Sequence, residues 1–169
     1  NFGGPGLAVI AAIYAIILVT SGYYLWVKKN MQIPGGLLFT IAVCMTPIII
    51  YGVQRATGFW AFGYPGKYTD FYIWIKGSWL FMEIGTIVAA LVALRYIKFT
   101  FLSAPIAFSL WFLSMDITPL IFHTDSYSWD EREIVSLFFG LAVIIISFLL
   151  DRRTKQDYSF WLYIFGIFA

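Results

Sequence analysis

Long apolar runs separated by short charged clusters set the pattern of this chain. A helix needs about 20 mostly apolar residues to cross a hydrocarbon core of about 30 Å, and five segments meet that length. They are residues 6–27, closed by Lys28 and Lys29; 35–53, closed by Gln54 and Arg55; 78–97, with Arg95 and Lys98 at the end; 101–123; and 134–150, closed by DRRTKQD. A further apolar run starts near Tyr158 and reaches the last residue. The pattern predicts an all-α polytopic transmembrane helix bundle of five complete spans plus a truncated sixth, a single domain over residues 1–169. The chain starts without Met and stops inside an apolar run, so it reads as part of a longer polytopic protein.

The connecting segments carry orientation. Lys and Arg accumulate in cytoplasmic loops. The odd loops hold seven of the 11 basic residues (Lys28, Lys29, Arg95, Lys98, Arg152, Arg153, Lys155), and the even loops hold Arg55, Lys67, Lys76 and Arg132. The N-terminal end is therefore expected outside. The second loop, RATGFWAFGYPGKYTDFYIWIKG, is too polar to span and rich in aromatics. Its GYPG is a turn signal. Thr69 or Asp70 can cap a helix that runs into the third span, and Asp70 to Lys98 would then measure about 43 Å at 1.5 Å per residue. Pro34 and Pro47 around the second span, and Pro105 and Pro119 around the fourth, suggest related hairpins. Small residues at four-residue spacing (Gly85, Ala89, Ala93; Ala8, Ala12; Ala11, Ala15) predict close helix packing.

Composition agrees with a membrane solvent. Hydrophobic residues make up 61% and charged residues 12% of the chain, with a mean hydropathy of +0.83, against roughly 45–50% and about 25% in soluble domains. A net charge of +2 with no basic run argues against nucleic-acid binding. The lone Cys44 rules out an internal disulfide and reads as a small buried hydrophobe. No HExxH and no phosphate-binding glycine loop occur. One His and one Cys cannot build a bis-His haem site or a Cys/His zinc cluster, so no cofactor is expected.

Candidate chemistry rests on two carboxylates inside the apolar runs. Ionisable groups in a membrane are costly and tend to be functional or paired. With the orientation above, Glu83 lies roughly 7 Å below the outer end of the third span and Asp116 roughly 10 Å below that of the fourth. Consecutive spans usually pack as neighbours, so the two can face each other. Two carboxylates in low dielectric cannot both ionise cheaply; they would share a proton, coordinate a cation or recruit a cationic partner. Arg55 and Lys76 are the candidate partners, and His123 is a titratable group at the outer surface. Pro119 frees the carbonyl of Met115, and Thr118 adds a hydroxyl. Freed backbone beside a carboxylate is the kind of niche used at broken transporter helices. The bland alternative is structural: Glu83 pairs with a cation, and Asp116 bonds a neighbouring helix.

The runs KGSW, SMDITPL and DRRTKQDYSFWLYIFG, within residues 68–166, resemble uncharacterised bacterial multi-pass membrane proteins of the DUF2157-like kind. The resemblance implies further spans and a bacterial inner membrane, and it carries no activity, substrate or cofactor. Two readings of function follow. One is an outward-facing intramembrane carboxylate site, with Asp116, Glu83, Thr118, Arg55 and His123, that binds or transports a proton, cation or small solute. The other is a non-catalytic scaffold or accessory subunit of a membrane complex. A lipid-modifying enzyme ranks third. The lipid bilayer, and protein partners within such a complex, are the expected surroundings.

Overall fold

The computed structural model describes residues 3–60, 79–122, 129–153 and 159–168; the side chains of 115–122, 129–132, 153 and 168 lie outside that description. The second-loop reading over 61–78, with its turn and interfacial helix, lies outside the described residues too. Every regular element described is helical. Helix α1 covers Gly4–Tyr23 and continues through a π turn at Tyr24–Lys28. Gly3 and Pro5 open it, a proline in the first turn being tolerated because its missing N–H would have no partner there. Asn30, in the left-handed region at φ 55°, reverses the chain into α2, Gln32–Cys44. Asn is among the few side chains that take this conformation at low cost.

The second apolar run is not one helix. It breaks at Met45 and resumes as α3, Thr46–Thr57. Pro47 is the cause: it has no N–H to give the carbonyl four residues back, and its ring crowds that carbonyl. The sequence reading set Pro47 beside the span; it sits instead at the middle of the 26-residue stretch Gln32–Thr57. Helix α4 covers Leu80–Tyr96, and a short extended piece and a 3-10 turn at Thr100–Leu102 lead into α5, Ser103–Phe122. The backbone stays helical through Pro119. Helix α6 covers Trp129–Arg153 and α7 Ser159–Phe168. Among the described residues, three stretches, Gly4–Lys28, Gln32–Thr57 and Glu133–Arg152, are long and apolar enough to cross a membrane. Their outer faces are apolar as well: Ile13, Ile16, Val53, Leu137, Phe138 and Ile145 are all exposed. Such a surface is tolerated in lipid and not in water. The protein is membrane-embedded.

Helix α1 lies along both α2 and α3. Its inward residues are Gly4, Ala8, Ala11, Ala15, Leu18, Gly22 and Leu25, buried or half-buried at alternating steps of four and three. That is the 3.5-residue period of a close helix seam. Glycines let the backbones touch: a Cβ on Gly4 would fall 2.7 Å from the nitrogen of Ala56, and one on Gly35 3.0 Å from the carbonyl of Gly22. Helix α4 then packs on α3 and α5, and α5 on α6 and α7. Two apolar cores result. Phe39 and Val43 of α2 meet Ala90 of α4 with Ile97 and Leu102, while Ala107 of α5 meets Val143 of α6 and Leu162 of α7. The expected small stripe on α4 is used, with Ala89 and Ala93 against the first core.

Aromatic pairs occur toward both ends of the bundle as well as along α5 at Phe108, Trp111 and Phe112. Phe99 stacks edge-on with Trp26 and Phe101, and Phe101 with Trp161, at the Lys28 end. Tyr51–Trp60, Phe59–Phe81 and Trp79–Phe112 lie toward the Arg55 end. Rings that are apolar on one side and wet on the other favour such positions.

Candidate functional site

Between α1, the broken α2–α3 helix, α4 and α5 lies a cavity of about 630 Å³. The break at Met45 contributes to it, since Cys44, Pro47, Ile48 and Tyr51 form one wall. Trp79, Met82, Glu83 and Thr86 come from α4, at positions three and four apart that share one helix face. Pro105, Phe108, Ser109 and Phe112 repeat that spacing on α5, and Leu7 closes the side toward α1. The first core lies one helical turn away, at Val43 and Ala90. The cavity therefore occupies the half of the bundle toward Gly4, Arg55 and Trp79.

Glu83 stands in the first turn of α4 and is only 6% exposed. A carboxylate near a helix N-terminus is favoured by the unpaired N–H groups there. Two hydroxyls accompany it in the wall. Thr86 is buried and donates its own proton to the carbonyl of Met82 at 2.6 Å, which leaves its oxygen to act as an acceptor. Ser109 is buried across from it on α5. Gln54, one turn beyond Tyr51, is 5% exposed, and neither end of its amide has a hydrogen-bond partner among the described residues. The remaining lining is apolar or aromatic. A site of this kind suits a ligand with an apolar body and few polar atoms. Among the described residues no cluster of three metal-ligating side chains occurs.

Of the residues expected from sequence, Glu83 is in the cavity. Arg55 is not brought to it: it is exposed on the last turn of α3, its backbone against Gly4, and it forms no ion pair among the described residues. Asp116 and Thr118 belong to α5, Asp116 one turn beyond Phe112, with side chains outside the described residues. His123 and Lys76 lie wholly outside them. Cys44 corrects an expectation. It is exposed and lines the cavity instead of filling a packed interior. The sequence reading passed over Thr86, Ser109 and Tyr51. Thr86 sits three residues after Glu83, the spacing that puts two side chains on one face, and this was a usable signal.

No protein family, curated protein or solved structure matches the chain, and the DUF2157-like resemblance gains no support from them.

Proposed function

We propose that this is a polytopic membrane protein of five membrane-crossing helices with a sixth beginning at α7, its N-terminal end outside. Its function is to bind a small solute, and to move it, at an intramembrane carboxylate site in the outer half of the bundle. One observation carries the reading: a cavity of about 630 Å³ whose wall includes the buried Glu83. A structural ion pair alone needs no such space, and protein interiors are otherwise close-packed. Asp116, one turn beyond the cavity wall on α5, is the second carboxylate of the site, with Thr118 beside it.

The test is purification in mild detergent followed by mass spectrometry of what the protein retains, for wild type, Glu83→Gln and Asp116→Asn. Retention of a small molecule by wild type, lost at least about tenfold (about 1.4 kcal/mol) in Glu83→Gln at unchanged melting temperature, supports the site. Equal retention by wild type and Glu83→Gln refutes it. The exposed apolar flank of α6, with Leu137, Phe138, Leu141 and Ile145, favours the second reading of an accessory subunit. A protein that co-purifies in fixed ratio and is released by polar substitutions on that flank would establish it.

A further inference from the structure

Building on the carboxylate site proposed above, we infer that its ligand is a bilayer-dissolved amphiphile, an apolar chain with an amine head, that enters sideways from the lipid. Two observations point there. The first is where the cavity opens. Met82, Glu83 and Thr86 on the α4 side and Pro105 and Ser109 on α5 are buried, whereas Cys44, Ile48 at 38% and Phe108 at 48% exposure form its open rim. Cys44 is at the midpoint of the 26-residue stretch Gln32–Thr57. Ile48 is one turn, about 6 Å, further along. The rim therefore lies near mid-membrane depth, where the surroundings are hydrocarbon, not water. A ligand that uses this entrance has to be soluble in the bilayer.

The second observation is the polarity of the floor. Its buried polar atoms on α4 are oxygens that accept, the Glu83 carboxylate and Thr86, whose proton is committed to Met82, while the donors of the lining, the Trp79 indole N–H and the Tyr51 hydroxyl, belong to half-buried residues of the wall. Ser109 can turn either way. A carboxylate has about four lone-pair sites, so Glu83 can serve a ligand's donors besides any contact within the chain. An acceptor-rich floor in low dielectric matches a head group with several N–H donors and a positive charge, and repels a carboxylate or phosphate head. The aromatic walls, Trp79, Phe108 and Phe112, add cation–π attraction for an ammonium. The volume of about 630 Å³ is of the size that encloses a small organic ligand.

Two measurements test this with the whole chain in phosphatidylcholine vesicles. In the first, Cys44, the single cysteine, is spin-labelled, and its collisions with oxygen and with a water-soluble nickel chelate are compared. Oxygen concentrates in hydrocarbon, so oxygen should dominate. Dominant nickel access places the rim in water and overturns lateral entry, while leaving the carboxylate site standing. In the second, the unlabelled protein is irradiated with dodecylamine carrying a mid-chain diazirine, and adducts are mapped by mass spectrometry. Adducts on the cavity rim at Ile48 and Phe108 should exceed those from the matching dodecanoic acid by about tenfold, a preference of about 1.4 kcal/mol. Adducts on the lipid-facing Ile145 of α6 should not differ between the two probes. Glu83→Gln should remove the amine preference. Equal rim labelling by amine and acid overturns the amine head group; that comparison needs only wild-type protein, so it stands even where the variant does not fold. An amine preference that survives Glu83→Gln also overturns it.

Discussion

Substitution of Gly52 tests the seam between α1 and α3. A Cβ placed there would lie 2.6 Å from the backbone nitrogen of Ala8, 2.8 Å from its Cβ and 2.9 Å from its Cα. Carbon atoms prefer roughly 3.5–4.0 Å, and two of the three atoms met are backbone, so no rotamer change relieves the clash. Gly52→Ala therefore has to push α1 off α3 by roughly 1 Å, and overpacking of this kind costs about 1–3 kcal/mol. Reversible unfolding in mixed dodecylmaltoside–dodecylsulfate micelles, followed through the seven tryptophans, reads the loss. Ala8→Gly in the same chain removes only the 2.8 Å contact and should recover less than half of it. Gly58→Ala is the comparison. Gly58 has φ 69° and nothing within 4 Å, so its cost of about 1–2 kcal/mol is that of the left-handed backbone and should be indifferent to Ala8→Gly. A Gly52→Ala protein within about 0.5 kcal/mol of wild type, or one fully rescued by Ala8→Gly, would refute the backbone-contact account.

Two further packing predictions follow from the structure. Leu102, fully buried in the first core, should lose about 2–5 kcal/mol on truncation to Ala, whereas Val88, 53% exposed on α4, should lose little in the same micelle assay; similar losses would mean that the first core is misplaced. Phe101 and Trp161 meet at 4.6 Å and 74°, and a double-mutant cycle to Leu should give a coupling of about 0.5–1.5 kcal/mol. Zero coupling would mean that α7 does not dock on the turn before α5. The Glu83→Gln and amine-labelling outcomes stand with the site itself.

The helices were legible in the sequence because length and hydropathy are local properties. Helices α1, α4, α5 and α6 fall on expected apolar runs, whereas the second run divides into α2 and α3, and α7 starts where the further run was expected. Glu83 was legible for the same reason, as a charge where charge is expensive. The inward faces were not legible from polarity. A helix in lipid is apolar on the side that meets protein and on the side that meets the bilayer, so the contrast that marks a buried face in water is missing. Size replaces it: Gly4, Ala8, Ala11, Ala15 and Gly22 mark the α1 seam because close approach selects small side chains. What only the tertiary structure decided is where packing fails. The Met45 break itself is local, since Pro47 causes it, but the exposure of Cys44 beside it and the meeting of Glu83 and Thr86 with Ser109 depend on how the helices sit against each other. A cavity is a property of the space between side chains distant in the chain, and no local pattern encodes it.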